Sequence, residues 1–314
     1  MELIICPICG NREYIVLFRG AIDRMHGIAG TFRYVKCKNC EHVYLNPRPE
    51  IDSLKRFYPI SYNLHQALKK RQDSPITRFT SPIKRAGKLL RMYADKHAYV
   101  LDIGCGRGDF LDNLRRLTGC QCFGIDFSDN AAKIAKELYS IDVFRGQFLD
   151  ARYPDKSFNL ITMWWYLEHD PNPLKTLSKC KNLLKDDGML VFSVPNYASL
   201  NAKLFKAKWY HLDAPRHLSI YSPKTVKFLL EKSGFRLYRM EWDRSTWGLT
   251  GSLQYLFLGR SYNAPFNISE NMALRMLSLP ITFISSLIKM SDTITIYAVK
   301  DKKHVCFQEN RFRR

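Results

Sequence analysis

The sequence contains no apolar run of the ~20 residues that a membrane-spanning helix requires. The nearest approach, MLSLPITFISSLI from Met276 to Ile288, is shorter and includes Pro280. Internal repeats and low-complexity tracts are also missing, and the opening segment MELIICPICG has neither the basic flank nor the long apolar stretch of a secretion signal. These absences argue against a transmembrane, repeat or exported protein, and we expect a cytoplasmic one.

Acidic residues are scarce relative to basic ones, with 29 Asp and Glu against 49 Lys and Arg, so the net charge is +20. Such an excess favours a polyanionic neighbour such as RNA, an anionic membrane surface or a phosphorylated substrate, although a merely basic surface explains it as well. The 314 residues are 46% hydrophobic. The chain is therefore long and apolar enough for one large α/β domain with an accessory unit.

Nine cysteines in such a chain suggest thiols that stay reduced or bind metal. Two C-x-x-C pairs stand near the start, Cys6 with Cys9 and Cys37 with Cys40. A two-residue spacing lets one tight turn aim both sulfurs at one ion, and two such turns supply the four ligands of a structural zinc. The pattern predicts a zinc ribbon. Redox cysteines are the alternative, but a redox pair would not need a matched second pair. His42 is expected at the surface.

A glycine-rich turn follows the short apolar strand YVLDI, with Gly104, Gly106 and Gly108 at alternate positions before a helical pattern. The spacing G-x-G-x-G differs from the G-x-G-x-x-G of dinucleotide-binding turns. Asp102, just before the first glycine, would repel a pyrophosphate and attract a cationic amino group. Asp126 ends the next strand and suits the two hydroxyls of a ribose, or it begins the following helix. A ligand with an amino acid end, a ribose and no phosphate is S-adenosylmethionine.

At these residues the sequence resembles the class I S-adenosylmethionine-dependent methyltransferases, over roughly Ala98 to Lys300. The resemblance implies an enzyme with an α/β, Rossmann-like, seven-stranded sheet whose last strand is antiparallel. It also implies that Asp126 binds the ribose, Phe127 packs near the adenine and Trp164 lies beneath the sulfonium. The cofactor-binding residues it implies are Asp102, Gly104, Cys105, Gly106, Gly108, Asp126, Phe127, Gln147, Phe148 and Trp164.

The pair Glu168–His169, followed by a proline-flanked turn, resembles the ubiquinone-pathway O-methyltransferases. Some of those carry a further glutamate three positions before the pair, and the three residues can bind a divalent metal. Trp165 stands at that position here, so the sequence predicts no catalytic metal. His169 is then either a residue of the pocket or a polar residue at a helix start.

The segment WYHLDAPRHLS, Trp209 to Ser219, comes after the predicted fifth strand and so above the sheet edge where α/β ligands bind. A histidine there suits a general base, an aspartate suits its orientation, and an arginine suits a phosphate or carboxylate of the acceptor. The alternative is a loop held by its own hydrogen bonds, without a base. The predicted catalytic residues are His217, His211, Asp213 and His169, and the predicted substrate-binding residues are Arg216, Trp165 and Trp209.

The organisation predicted from these patterns is a zinc ribbon over residues 1–50, a basic helical linker over 51–97, the methyltransferase domain over 98–300 and a basic tail over 301–314. An insertion at about 244–290 carries a helix with two different faces. We expect core packing or a lid from it, with a membrane interface as the second hypothesis. Its apolar face holds Leu274, Leu277, Ile281, Ile284, Leu287 and Ile288, and its polar face holds Ser278, Thr282 and Ser285.

The motif D-x-P-R-H resembles a signature of zinc-ribbon-bearing methyltransferases from glycan and cell-surface polysaccharide pathways. The prediction is methyl transfer to a small-molecule or glycan- or lipid-linked intermediate, most simply at oxygen, with peripheral contact at the inner face of the membrane as a further hypothesis. Sugar C-methylation is one alternative. RNA methylation is another, because a basic chain with a zinc ribbon suits RNA. A non-catalytic module with an inherited cofactor fold is the third.

Overall fold

The computed structural model describes residues 1–59, 90 and 93–301. Its strands are β1 (Tyr14–Ala21), β2 (Phe32–Cys37), β3 (Val43–Leu45), β4 (Tyr99–Ile103), β5 (Gln121–Asp126), β6 (Val143–Arg145), β7 (Phe158–Trp164), β8 (Leu184–Pro195), β9 (Ser219–Ile220), β10 (Phe235–Trp242) and β11 (Thr293–Lys300). Its α-helices are α1 (Asp109–Thr118), α2 (Asp129–Tyr139), α3 (Pro173–Leu183), α4 (Leu200–Phe205), α5 (Pro223–Lys232), α6 (Trp247–Phe257) and α7 (Met272–Leu287). Short 3-10 helices cover Ile51–Phe57, Lys206–Lys208 and Tyr210–Leu212.

A seven-stranded sheet in the order β10-β11-β8-β7-β4-β5-β6 forms the centre of the molecule. Strands β4, β5, β6, β7 and β8 are parallel, and β11 runs antiparallel to both of its neighbours. The inner strands are apolar along their whole length because both faces of a parallel sheet are buried. Successive residues accordingly enter two different core clusters, one with Leu101, Ile161 and Phe192, the other with Val100, Leu160 and Val191. The predicted seven-stranded Rossmann-like fold is confirmed.

A second sheet, in the order β1-β2-β3-β9, joins the N-terminal cysteine unit to the main domain. Its last strand comes from the end of the WYHLDAPRHLS segment, with Val43 opposite Ile220 and Tyr44 opposite Ser219. His42 lies at this junction, fully buried, with Nε2 3.0 Å from the Ser219 hydroxyl. The expectation that His42 lies at the surface is therefore wrong, because the pairing of β3 with β9 encloses it.

Helix α7 has the reverse of the usual polarity, since its polar side chains point inward. Arg275, Ser278, Thr282 and Ser285 are buried, whereas Leu277 is 72% exposed. The hydroxyls of the inward face donate to carbonyls of the helix itself, and Arg275 Nε donates to Thr246 Oγ1 at 3.1 Å. The inward face is thus satisfied without apolar burial, and core packing of the apolar face is ruled out. No helix in the described part of the chain has both the length and the apolar content to cross a bilayer.

The bounds of several predicted segments differ from those in the structure. The third strand of the domain, β6, stops at Arg145, two residues before the predicted cofactor-binding residue Gln147. Ile51–Phe57 is a 3-10 helix, and most of the predicted linker, 60–89 with 91–92, lies outside the described residues, as does the tail from 302 onward. The predicted domain boundaries stay predictions.

Candidate active site

The glycine turn after β4 holds its backbone in a left-handed conformation, with φ of +73° at Gly104, +51° at Gly106 and +79° at Gly108. Residues with a side chain rarely adopt this region. A Cβ on Gly104 would also meet the Tyr166 ring at 2.7 Å, whereas at Gly106 the space is open. The turn therefore offers bare backbone to the adjoining cavity.

Asp126, at the end of β5, is tied to this turn by its carboxylate. Oδ2 accepts from the Gly106 N–H at 2.9 Å and Oδ1 accepts from the Ser128 N–H at 2.8 Å. Burial raises the pKa of Asp126. Each oxygen keeps a second lone pair, so the fixed carboxylate can still accept hydrogen bonds from a neighbouring diol. Ser128 itself caps α2, its hydroxyl accepting from the Ala131 N–H.

A cavity of about 430 Å³ opens between the glycine turn, Asp126 and the 3-10 helix Ile51–Phe57. We call it the glycine-turn cavity. Of the predicted cofactor-binding residues, it brings together Gly104, Gly106, Asp126, Phe127, Gln147 and Phe148. Its remaining lining residues are Ile51, Asp52, Leu54, Lys55, Tyr58, Ile125, Ser128, Gly146, Trp165, Tyr166, His169, Asp170 and Pro171.

Asp102 and Cys105 are not among the described residues that line this cavity. Asp102 is 2% exposed and accepts a hydrogen bond from the Thr162 hydroxyl at 2.6 Å, while burial raises its pKa to about 8. Cys105 directs its sulfur toward Gly124. Both residues therefore support the turn from beneath, and the Asp102 side chain does not line the cavity in which the amino group of the cofactor is predicted to lie.

Of the two adjacent tryptophans, Trp165 and not Trp164 lines the glycine-turn cavity, where Trp164 is predicted to lie beneath the sulfonium. Trp164 ends β7 in the core, 8% exposed, with its ring edge-on to Phe110 at 5.2 Å. Trp165 takes a φ of +53°, which turns its side chain out of the strand direction. Among the described residues it lines the glycine-turn cavity and a second cavity beside it. Trp164 is the last residue of β7 and packs in the core beneath the sheet edge, whereas Trp165 lies beyond the end of the strand.

The second cavity has a volume of about 250 Å³, and we call it the histidine cavity. Its lining includes His169, His211 and His217. It shares Trp165 and His169 with the glycine-turn cavity. Its lining residues are Met25, Trp165, Glu168, His169, Tyr210, His211, Asp213, His217, Ser245, Trp247 and Thr293. The structure thus brings together all four predicted catalytic residues.

Burial disfavours the charged form of the histidines in this cavity. Burial lowers the pKa of His169 and of His211 to about 3 and lowers that of His217 as well. His217 Nδ1 lies 2.8 Å from the His211 carbonyl, and His169 Nδ1 lies 3.1 Å from the Arg216 carbonyl. A carbonyl only accepts, so the His217 contact needs a proton on Nδ1 and leaves a lone pair on Nε2. His169 Nδ1 also lies 2.9 Å from the Tyr58 hydroxyl, which can donate to it in the other tautomer.

Arg216 and Trp209, predicted to bind a substrate, are both buried and engaged with other protein groups. Arg216 is fully buried, and its five N–H groups reach Asp23 (2.7 and 2.9 Å), Asp213 (2.5 and 2.9 Å) and the Phe57 carbonyl (3.1 Å). A guanidinium has only five donors, so none remains for a ligand. Trp209 is 1% exposed and donates from Nε1 to Asp292 at 2.9 Å.

Asp213 faces the histidine cavity but is committed to the arginine. Burial alone would raise its pKa, but the Arg216 charge and hydrogen bonds outweigh burial and hold the pKa well below its usual range. His217 Nε2 lies 3.9 Å from Asp213 Oδ2, beyond hydrogen-bond distance. Asp213 therefore orients the loop through Arg216 and acts on His217 only through its charge.

Glu168 is the residue whose importance the sequence did not reveal. It is fully buried, and neither of its carboxyl oxygens has a hydrogen-bond partner among the described residues. Burial raises its pKa to about 8. The Glu168–His169 pair resembles part of a metal-binding motif, but Trp165 replaces the third acid of that motif. The sequence therefore gives Glu168 no predicted role.

The four N-terminal cysteines form a compact sulfur cluster. The Sγ atoms of Cys6 and Cys40 are 3.5 Å apart, those of Cys9 and Cys37 are also 3.5 Å apart, and all four lie within 4.8 Å of one another. Zinc–sulfur bonds of about 2.3 Å in a tetrahedron require sulfurs roughly 3.8 Å apart. The cluster fits a closed, structural zinc site, and no histidine belongs to it among the described residues.

Comparison with known proteins identifies the family. A family model described as a methyltransferase domain matches residues 65–239, more than half of the chain. The chain belongs to this methyltransferase family. With the glycine turn and the fold, the match identifies an S-adenosylmethionine-dependent methyltransferase domain.

Curated relatives of the methyltransferase carry quinone-pathway names. The ubiquinone biosynthesis O-methyltransferase of Paraburkholderia phymatum is 34% identical over 128 residues, which is 37% of this chain and 54% of that protein. The demethylmenaquinone methyltransferase of Listeria welshimeri is 29% identical over 115 residues, 34% of this chain and 48% of that protein. The chain thus spans about half the length of these relatives. The solved [4+2]-cyclase SpnF is 16% identical with a TM-score of 0.55, over 81% of this chain and 97% of that one, which shows the fold alone.

Proposed function

We propose that this methyltransferase transfers a methyl group to an oxygen of a small hydroxylated ring, either a sugar of a glycan- or lipid-linked intermediate or a phenol. The observation that carries the proposal is that the two cavities meet at Trp165 and His169. A donor bound in one cavity would then face an acceptor bound in the other. In-line approach of two held reactants is the main requirement of this reaction class.

The residues of the glycine-turn cavity fit the parts of S-adenosylmethionine. The bare backbone of Gly104 and Gly106 would hold the amino acid end, the Asp126 carboxylate would accept from both ribose hydroxyls, and Phe127 and Phe148 would pack on the adenine. When bound, this cofactor supplies an electrophilic methyl group, whose bond electrons return to sulfur as the new O–CH3 bond forms.

The histidine cavity fits an acceptor of one ring. Its volume of about 250 Å³ is below the roughly 300 Å³ at which pockets for drug-sized ligands begin. The Nε2 atom of His211 or His217, both of which line this cavity, would take the hydroxyl proton as the oxygen attacks. The quinone-pathway names of the relatives fit this class of acceptor. RNA methylation and sugar C-methylation remain the rivals.

Peripheral membrane contact would suit a lipid-linked acceptor, and helix α7 is the surface we propose for it. Leu204 of α4 is also 66% exposed, and the start of α4 is tied to the segment after α7 by the hydrogen bond from the Leu200 N–H to the Met290 carbonyl. Lys203, Lys206 and Lys289 are exposed around them, and residues 188–212 contain no acid. This combination complements an anionic bilayer surface.

Methyl transfer from radiolabelled S-adenosylmethionine into separated lipid, sugar and RNA pools tests the proposal. We expect label in base-resistant ether linkages of the lipid or sugar pool. Each of the variants His211→Ala and His217→Ala should reduce turnover by about 100-fold or more if it removes the base. Label confined to RNA, or to a carbon atom of a sugar, would replace the proposal by the corresponding rival.

A further inference from the structure

Glu168 poses a physical problem that the proposed methyl transfer does not solve. Its carboxyl group is fully buried, and both oxygens lack a hydrogen-bond partner among the described residues. Leaving such a group unpaired in the interior costs several times what one ordinary hydrogen bond contributes. Folded proteins tolerate this at sites where a ligand, an ion or a water supplies the missing partner.

Two imidazoles stand beside this carboxylate. His169 and His217 cross edge to face with ring centroids 4.7 Å apart, and one ligand atom from each lies within 4.8 Å of the other and of a Glu168 oxygen. The Nδ1 atoms of His217 and His169 lie 2.8 and 3.1 Å from backbone carbonyls, and the Tyr58 hydroxyl lies 2.9 Å from His169 Nδ1. A backbone carbonyl on the remote ring nitrogen is the usual second partner of a histidine that binds a metal.

The charges around Glu168 point to a cation as its partner. Of the ionised groups lining the cavity, Asp213 is already paired with Arg216, whose donors are all engaged. A protonated Glu168 could donate to an imidazole nitrogen, but its oxygens form no hydrogen bond with any described residue. A cation, in contrast, would be bound by two neutral nitrogens and one carboxylate oxygen together.

We propose that Glu168, His169 and His217 bind a divalent transition-metal ion at the junction of the two cavities. Three protein ligands leave coordination positions open, as in catalytic and not in structural metal sites. An acceptor oxygen that occupied one such position would lose its proton more readily and would be held beside Trp165. The sequence predicted no catalytic metal because Trp165 replaces an acid, and the third ligand comes instead from the distant WYHLDAPRHLS segment.

The proposal rests on the proposed function and assigns His217 a new part in it. As a ligand, His217 would hold the ion and could not also act as base. His211, whose Nε2 has no partner among the described residues, would then accept the proton. The two imidazoles that the sequence treats as equivalent thus acquire different roles.

Cobalt titration of the full-length protein tests the site directly. The protein is loaded with one equivalent of zinc at the cysteines, and Co²⁺ binding is followed by calorimetry and visible absorption. Thiolates prefer zinc, and nitrogen–oxygen ligation gives d–d bands without sulfur charge transfer, so the two sites are distinguishable. We expect one saturable Co²⁺ equivalent that Glu168→Gln and His217→Ala each weaken by 100-fold or more, about 2.7 kcal/mol. His211→Ala, on the same cavity wall, should bind Co²⁺ as the unaltered protein does.

Binding of S-adenosylhomocysteine reports whether each variant is folded. Glu168 and His217 do not line the glycine-turn cavity, so their replacement should leave this binding unchanged. If a variant does not bind S-adenosylhomocysteine, its Co²⁺ affinity cannot be compared. The test is then whether Co²⁺ raises the unfolding temperature of the unaltered protein. Absence of saturable Co²⁺ binding up to roughly 1 mM would overturn the metal site. Methyl transfer without Co²⁺ binding would refute the metal site and leave the proposed function intact. Co²⁺ binding without transfer to any hydroxylated acceptor would refute only the proposed function.

Discussion

Arg216 illustrates how a side chain with reactive potential becomes structural. Its spacing from His217 and Asp213 suggested an anion site in the acceptor pocket, but Asp23, far away in the sequence, completes a buried ion cluster with it. A sequence pattern shows near neighbours only. Without the packing of the N-terminal unit, no local signal distinguishes this arginine from one that binds substrate.

Replacing Arg216 by Met should destabilise the protein by about 3–5 kcal/mol, because Asp23 and Asp213 would remain buried without their partner. Urea unfolding at pH 7 measures the change. Arg116→Met provides the control, since Arg116 is 59% exposed where it pairs with Asp112 and should contribute less than about 1 kcal/mol. Equal losses for the two variants would show that the buried cluster is not special.

Asp102 predicts a distinctive dependence of stability on pH. Burial raises its folded-state pKa to about 8, so between its unfolded pKa near 4 and pH 8 the native state holds a proton that the unfolded state has lost. Stability therefore falls as the pH rises through this window. Asp102→Asn removes the titration, so its advantage over the unaltered protein should grow from pH 4 to pH 8. Unfolding midpoints at several pH values check this, and a constant difference would contradict it.

At the scale of elements, the strands were predictable and the orientation of α7 was not. Apolar runs and glycine turns give β4, β5 and β7 within a few residues, because a buried parallel strand has few alternative sequences. An amphipathic helix, however, reveals two faces without saying which one faces inward. In α7 the buried hydroxyls satisfy themselves on helix carbonyls, which frees the apolar face for another partner.

Binding of the protein to vesicles of anionic lipid should depend on that apolar face. The double variant Leu277→Glu with Ile284→Glu should abolish co-flotation, because both side chains are more than half exposed and would place charge in the bilayer interface. Binding should also weaken as salt increases. Leu3→Glu, at another exposed apolar position, is the control. Equal flotation of all three proteins, or none from the start, would remove the membrane from the account.

At the scale of the whole molecule, the cysteine unit shapes the histidine cavity. The Tyr34 hydroxyl lies 2.7 Å from the carbonyls of Leu212 and His217, and Asp23 holds Arg216. The β3–β9 pairing fixes the end of the same segment. The sequence indicated both units, but their mutual contact depends on long-range pairing that local patterns do not encode.

Loss of zinc should therefore impair catalysis more than cofactor binding. In Cys6→Ser with Cys9→Ser, we expect lower zinc content, a lower unfolding temperature and turnover reduced at least 10-fold, because a 1 Å shift at a site costs about that much or more. Cofactor affinity should change little, since the glycine turn arises from β4 and β5. Cys122→Ser is the control. A parallel loss of cofactor affinity and turnover would indicate global unfolding instead.

The central claim is that the Asp126 carboxylate, fixed by the Gly106 and Ser128 amides, binds the ribose of S-adenosylmethionine. Calorimetric titration of S-adenosylhomocysteine into the unaltered protein, Asp126→Ala and the exposed neighbour control Asp129→Ala tests it most directly. The account predicts an affinity loss of about 100-fold or more for Asp126→Ala, from two charge-assisted hydrogen bonds, and none for Asp129→Ala. Unchanged affinity in Asp126→Ala would contradict it.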